Sequence, residues 1–169
     1  MHTFARGREL ATGELPYSDE PSGGKMAVTP RSKSIPQIAK MMRDLDFCML
    51  TTRAEDGNLR SRPMSNNGEV EFDGDVWFFS AAESRKVSEI ETDPFVELSY
   101  SDPERFLFIS MSGEASIVRN VEKKQELWIE DLERWFEDGP ESEDIVLIKV
   151  TPTVVAYWNG EENEEITLD

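Results

Sequence analysis

Four basic side chains are the first candidates for chemistry, because they are clustered in a chain whose formal net charge is −17. Arg60 and Arg62 alternate in the segment NLRSRPMS, and Arg85 is followed directly by Lys86 in the segment FFSAAESRK. Alternation along a strand places two side chains on the same face. Two planar guanidinium groups on one face suit bidentate contact with a phosphate or with a carbonyl-rich ring. The first segment is therefore a candidate binding site for such a group.

The second cluster lies where a predicted strand ends and a predicted helix begins. Free backbone N–H groups and the helix dipole favour an anion at the start of a helix. Arg85 and Lys86 at this end are unfavourable for the dipole unless a negative charge offsets them. The pattern indicates a phosphate site. Cations that are simply solvated, or paired with nearby acids, are the alternative explanation of both clusters.

Composition excludes several other kinds of site. The chain has one cysteine, Cys48, and one histidine, His2, so neither an intramolecular disulfide nor a zinc site is expected. Cys48 follows an apolar residue in a predicted strand and is expected to be buried. The sequence has no nucleophile elbow and no Walker lysine motif, and no catalytic side chain can be named. Residues 65–169 carry 27 acidic and 8 basic side chains, a balance that repels nucleic acid.

The elements that must position these cations are mostly short strands. Apolar and β-branched segments separated by turn signals such as EDGN predict hairpins. The predicted strands cover residues 47–53, 59–65, 69–72, 75–80, 95–101 and 105–118, with one or two more within 145–160. The predicted helices cover residues 34–47, 84–93 and 121–136. About seven strands and three helices, without alternating βαβ units, favour a mainly β barrel decorated by peripheral helices.

Individual residues are expected to shape these elements. Ser34, with Gln37 three residues later, matches a capping box for the first helix, and Asn120 can cap the third. Gly113 inside a long strand predicts a bulge or a close backbone approach. Three tryptophans are expected to pack in the core or in an interface: Trp77, Trp128 and Trp135.

Three regions are predicted along the chain. Residues 1–33 show no periodic pattern and are expected to form a flexible or extended N-terminal tail. Residues 34–160 are expected to form the folded domain, and residues 161–169, EENEEITLD, an acidic C-terminal tail. No apolar run reaches the roughly 18 residues of a membrane-spanning helix. The first ten residues lack the apolar stretch of a secretory signal, so a cytoplasmic location without a membrane partner is expected.

Four segments in order resemble the pyridoxamine 5′-phosphate oxidase-like FMN-binding split-barrel family, and most closely its bacterial general stress protein branch. They are FCMLTTRAEDGNLRSRPMS, VWFFSAAESRKVSEIETDPFVELSYSD, FISMSGEASIV and AYWNG. The resemblance implies a split β-barrel that forms a homodimer, with FMN bound at the subunit interface. It also implies a set of cofactor-binding residues: Arg60, Ser61, Arg62, Pro63, Met64, Ser65, Phe79, Ser80, Ser84, Arg85, Lys86 and Trp158.

The resemblance gives these residues different roles. Arg60 and Arg62 would donate hydrogen bonds beside the flavin ring and ribityl chain, with backbone contacts from the three residues that follow. Arg85 and Lys86 match the family's phosphate clamp, and Trp158 matches an aromatic residue that approaches the flavin from the partner subunit.

Two departures bear on the activity. Phe108 stands where the oxidase has a glutamine, and the acidic segment 161–169 replaces a basic stretch that holds the oxidase's phosphorylated substrate. The resemblance therefore implies an FMN-dependent oxidoreductase whose substrate and small-molecule redox partner are unknown. Two alternatives stay open: a non-catalytic flavin-binding or stress-response protein, and a split-barrel protein that uses another cofactor such as a deazaflavin.

Overall fold

The computed structural model describes residues 31–65, 72–160 and 162–168. The helices are α1 (Arg31–Met42), α2 (Arg85–Thr92) and α3 (Val121–Leu127), and a short 3₁₀ helix covers Glu130–Arg134. The strands are β1 (Phe47–Arg53), β2 (Leu59–Ser65), β3 (Val76–Ala81), β4 (Phe95–Asp102), β5 (Leu107–Val118), β6 (Ile145–Asn159) and β7 (Glu162–Thr167). The predicted mainly β class with three helices is confirmed.

All seven strands belong to one antiparallel sheet, in the order β2-β1-β4-β5-β6-β3, and β7 also pairs with β6. Alternating residues of β1, β4 and β5 point into the main core, where Leu50, Leu98 and Met111 have no exposed surface. These three residues lie side by side in the register of the sheet. None of the helices in the described residues is long and apolar enough to cross a membrane.

Gly113 interrupts the register between β5 and β6, as the sequence predicted. The pairing shifts between Ser112 and Gly113, which marks a β-bulge. A Cβ atom built at Gly113 would lie 2.3 Å from the carbonyl oxygen of Thr151 and 2.7 Å from the Cα atom of Pro152. Glycine is therefore required here because the backbone of β6 occupies the space of a side chain.

The first helix begins earlier than predicted, at Arg31, so Ser34 lies inside α1 and does not cap it. The reason is packing: Ser34, Ile38 and Met42 are spaced four residues apart and are all buried on one helical face. The helix therefore includes residues 31–33, which the sequence assigned to a tail. The rest of that predicted tail, residues 1–30, lies outside the described residues.

The acidic segment after residue 160 was predicted as a tail but contains the strand β7. Its apolar residues explain the difference, because Ile166 and Leu168 alternate along the chain and are both buried in the main core. The glutamates of β7 remain exposed.

The third helix is shorter than predicted. Asn120 does cap it, with its side chain accepting a hydrogen bond from the backbone N–H of Lys123 at 2.6 Å. The α-helix ends at Leu127, and the chain continues as the 3₁₀ helix. Trp128 and Leu132 pack in a second cluster, but Trp135 is 76% exposed and does not belong to the core of this chain. Nearly all of the strand predicted over 69–72 lies outside the described residues.

Candidate functional site

The two arginines of β2 lie on one face of the strand, as their spacing predicted. In the β1–β2 pairing, Arg60 stands opposite Thr52 and Arg62 opposite Leu50, both of which point into the protein. Within the described residues β2 pairs only with β1, so it is an edge strand. Arg60 and Arg62 therefore lie on the inward-facing side of the sheet, at its edge.

Arg62 is held by acceptors from β1 and α2. Its Nη1 atom donates to the carbonyl oxygen of Leu50 at 3.2 Å and to Oγ1 of Thr52 at 2.6 Å. Its Nη2 atom donates to Oε2 of Glu89 at 2.8 Å. Thr52 in turn donates to the same oxygen of Glu89 at 2.6 Å. The guanidinium group is thus fixed at a partly buried position between the sheet edge and α2.

Arg60 is paired differently. Its Nη2 atom lies 2.9 Å from Oδ2 of Asp56 in the turn between β1 and β2, and both side chains are about half exposed. The pKa of Asp56 is lowered, first by hydrogen bonds from Asn58 and then by the charge of Arg60. For Arg60, the structure agrees with the alternative that the cation is paired with a nearby acid.

The start of α2 carries two cations that have no acidic partner in the described residues. Arg85 is exposed and Lys86 is half-buried, and the first turn of α2 contains no acidic residue. Burial lowers the pKa of Lys86, and the positive charge of Arg62 lowers it further. Because Arg62 contacts Glu89, which lies three residues after Lys86 on the same side of α2, Arg62 and Lys86 face the same region although they come from the two separate basic clusters.

Two hydroxyl groups lie beside this helix start. Ser84 precedes the helix and makes no side-chain cap, and its Oγ atom lies 3.0 Å from Oγ of the buried Ser80 at the end of β3. The backbone N–H groups of a first helical turn have no partners within the helix. Cations, hydroxyl groups and a helix N-terminus are together the donor set that a phosphate monoester requires, so the residues present fit such a group.

An open cleft of about 560 Å³ joins the two clusters. It lies between the β1–β2 turn and α2, and its lining residues include Asp56, Arg60, Arg85, Ser88 and Glu89. The structure therefore brings Arg60 and Arg85, one residue from each cluster, to the same cleft, which the sequence did not predict.

Of the other predicted residues of β2, only Met64 shares that face. Ser61 lies on the opposite, outer face, where its Oγ atom is 2.7 Å from Oγ1 of Thr51, and Pro63 and Ser65 are exposed on the same side. The side chain of Met64 is buried in the main core. From this strand, Arg60 lines the cleft, Arg62 is held between the sheet edge and α2, and Met64 is buried in the core.

The two aromatic residues predicted for the site lie elsewhere in the chain. The ring of Phe79 packs edge-on against Trp128, with 5.3 Å between ring centroids, inside the second core cluster. Trp158 lies on β6, four strands from β2 in the order of the sheet, and pairs with Phe108. Within the described residues, the ring of Phe79 belongs to the second core cluster, and Trp158 lies far from β2 in the order of the sheet.

Sequence reasoning missed Thr52 and Glu89. Glu89 lies three residues after Lys86 on α2, which places both on one side of the helix. That spacing was a usable signal, but in a segment with several acids it did not distinguish Glu89 from the exposed Glu91.

The comparison with known protein sequences identifies relatives over most of the described domain. Residues 33–168 match the family model for proteins described as pyridoxamine 5′-phosphate oxidase like. General stress protein 26 of Bacillus subtilis is 30% identical to this chain over 93 residues, which cover 53% of this chain and 66% of that protein. The chain thus spans slightly less than two thirds of the length of this relative.

Solved structures share the fold at low sequence identity. A protein from Clostridium acetobutylicum related to general stress protein 26 has a TM-score of 0.69 at 17% identity, covering 80% of this chain and 94% of that chain. A pyridoxamine 5′-phosphate oxidase-related, FMN-binding protein from Nostoc punctiforme has a TM-score of 0.63 at 18% identity, covering 83% of this chain and 91% of that chain. The predicted split-barrel fold is confirmed by these neighbours.

Proposed function

The chain belongs to the pyridoxamine 5′-phosphate oxidase-like family, and on that premise we propose that it is an FMN-binding flavoprotein of the oxidoreductase type. The observation that carries the proposal is geometric: Arg62 is paired with Glu89 on the side of α2 that also carries Lys86, three residues earlier, and Lys86 has no acidic partner in the described residues. Two neighbouring cations that are partly shielded from water attract an anion. A phosphate monoester carries up to two negative charges at neutral pH.

The residues of the basic cluster would hold the cofactor by its phosphate end. Arg85 and Lys86 would contact the phosphate, together with the N–H groups of the first turn of α2 and the hydroxyl groups of Ser80 and Ser84. Arg62 would add a charge-assisted donor from β2. Backbone groups of residues 63–65 on the edge strand, and of Phe79, would complete the set, since the side chains of Met64 and Phe79 are engaged in packing.

Bound FMN would supply hydride or electron transfer. The protein would bind and orient the cofactor and control access to it. No general acid or base is assigned. A phosphorylated substrate such as pyridoxamine 5′-phosphate is disfavoured, because β7 runs along this part of β6 and carries exposed glutamates, Glu162 and Glu164, on either side of Asn163, the residue opposite Trp158. A cytoplasmic location is part of the proposal, in keeping with a single cysteine.

We propose further that the protein acts as a homodimer with FMN at the subunit interface. The outer face of β1 and β4 supports this, because it exposes Phe47 (67%), Met49 (40%) and Phe95 (66%). The position of Trp158 supports it too. Trp158 lies four strands from β2 in its own chain, so a contact with the same cofactor would come from the second copy.

A non-catalytic flavin-binding role in the stress response is the second candidate. It is favoured by the similarity to general stress protein 26 and by the acidic β7 segment, which replaces a substrate-binding basic stretch. This candidate predicts that the protein binds FMN but gives no steady turnover of NADH or NADPH with any acceptor.

Purification from a flavin-replete host tests the proposal. We expect yellow protein that releases FMN on denaturation, and reduction of the bound flavin by NADH or NADPH under anaerobic conditions. Stable FMN binding without turnover would favour the second candidate. Colourless protein that does not bind added FMN would contradict both, and binding of a deazaflavin by that protein would identify the other cofactor.

A further inference from the structure

Glu89 is a buried carboxylate within the proposed cofactor site, and cofactor binding alone gives it no role. It is only 7% exposed. A buried carboxylate is costly unless it is paired and hydrogen-bonded. Its Oε2 atom accepts hydrogen bonds from Oγ1 of Thr52 at 2.6 Å and from Nη2 of Arg62 at 2.8 Å. Glu89 also lines the cleft that contains Arg60 and Arg85.

The contacts of Arg62 leave part of its guanidinium group available. Arginine has five N–H donors. Three hydrogen bonds fix the group, two from Nη1 to Leu50 and Thr52 and one from Nη2 to Glu89. In the described part of the chain, the Nε–H and one N–H of Nη2 have no partner. A guanidinium group held in this way offers two donors in a fixed orientation.

Glu89 also sets the charge of the site. Arg62, Arg85 and Lys86 carry three positive charges, and Glu89 is the acidic residue that is paired directly with one of them. Arg60, Asp56 and Glu55 line the same cleft and add one positive and two negative charges. With Glu89 in place, the free site therefore keeps a small positive surplus and is less strongly self-repelling than the three cations alone.

We propose that Glu89 is a positioning residue of the cofactor site, which orients Arg62 through their ion pair and leaves two of its N–H donors for FMN. The proposal rests on the proposed FMN-binding function. Glu89 does not contact the cofactor in this scheme. It acts by restricting the rotamers of Arg62, so that FMN does not have to order a long side chain when it binds.

A double-mutant cycle on FMN affinity tests this role. The variants are Glu89→Leu, Arg62→Met and the double variant, with the dissociation constant of FMN measured by quenching of flavin fluorescence. We expect Glu89→Leu to weaken FMN binding about 2- to 12-fold, because FMN would then have to order the long side chain of Arg62 itself. In the Arg62→Met background, the same substitution should have little further effect, because the residue through which Glu89 acts is gone.

Two further variants keep the test interpretable. Glu89→Gln retains a carbonyl acceptor for Arg62 and Thr52 and should restore part of the lost affinity. Glu91→Leu, on the same helix but 48% exposed and paired with Arg119, is the matched control and should bind FMN like the wild type. The double variant replaces a buried ion pair with apolar side chains, which proteins usually tolerate, so it keeps the cycle measurable if Glu89→Leu alone is poorly folded.

The outcomes separate the two proposals. If the wild type binds FMN and Glu89→Leu binds it equally well or more tightly, Glu89 is not a positioning residue while the FMN-binding function stands. An equal loss of affinity in both backgrounds would also overturn the positioning role, since it would mean that Glu89 acts independently of Arg62. Failure of the wild type to bind FMN would overturn both proposals.

Discussion

Lys86 on α2 and Arg62 on β2 lie close enough for the charge of Arg62 to lower the pKa of the Lys86 ammonium group, in addition to the larger effect of burial. Both effects disfavour the charged form of the lysine, and a bound anion would oppose both. The relationship joins two basic clusters that are more than 20 residues apart in the chain. This relationship is the electrostatic reason to expect a phosphate beside Lys86 and Arg62.

Replacing Lys86 with alanine should weaken FMN binding selectively. Losing a charge-assisted hydrogen bond costs about 1.5–3 kcal/mol, which corresponds to about 10- to 150-fold in affinity. Riboflavin has no phosphate, so its affinity should change little. Fluorescence titration of both ligands, with the exposed Lys40→Ala as the control, measures the difference. Equal losses for FMN and riboflavin would show that Lys86 does not serve the phosphate.

The Gly113→Ala substitution should destabilise the fold without involving the cofactor site directly. The new Cβ atom would lie 2.3 Å from the carbonyl oxygen of Thr151, and the obstacle is backbone that has to move. Overpacking of this kind costs about 1–3 kcal/mol. Urea unfolding should show this loss, whereas Ser112→Ala, on the exposed face of the same strand, should unfold like the wild type. Unchanged stability of Gly113→Ala would mean that the bulge can rearrange at little cost.

Cys48 should make the stability of the protein depend on pH in the alkaline range. Burial raises the pKa of its thiol from 9.0 to about 12. Because the folded-state pKa is the higher one, the stabilising contribution is complete below pH 9 and is lost as the pH rises toward 12. Between pH 8 and pH 10, the free energy of unfolding should fall by about 1.4 kcal/mol more for the wild type than for Cys48→Ala. Urea unfolding at both pH values measures this, and equal losses would contradict the buried, protonated thiol.

Local patterns predicted the parts of the site that depend on one element. The period of a strand was enough to place Arg60 and Arg62 on one face, and the strand-to-helix boundary was enough to place Arg85 and Lys86 at a helix start. Gly113 was predictable for the same reason, because only a close approach or a bulge explains a glycine inside a long strand.

Local sequence patterns could not predict contacts between elements that are distant in the chain. Arg62 and Glu89 are 27 residues apart, and they meet only because α2 packs beside the edge of the sheet. The β7 strand was missed because its glutamates dominate the composition, while its alternating Ile166 and Leu168 supply the burial. In a longer helix, the spacing of Trp135 would place it on the buried face. The helix ends at Leu127, however, so that spacing does not apply and Trp135 is exposed.

The proposed dimer predicts that the outer face of β1 is needed for FMN binding. Phe47→Asp and Met49→Asp would place charges on an apolar face that a second copy is expected to cover, and burying an unpaired charge is strongly unfavourable. Both variants should sediment as monomers. They should also bind FMN more weakly, because a monomer lacks the Trp158 that the partner subunit is proposed to supply.

Sedimentation velocity and FMN titration of the same samples test this prediction. Val121→Asp is the matched control, since Val121 is 37% exposed and is the first residue of α3, where an aspartate is favourable for the helix. It should remain a dimer with wild-type FMN affinity. A wild type that sediments as a monomer while binding FMN would refute the dimer. Monomeric Phe47→Asp with full FMN affinity would instead refute the contribution of Trp158 from the partner, because cofactor binding would then need only the cations of a single chain.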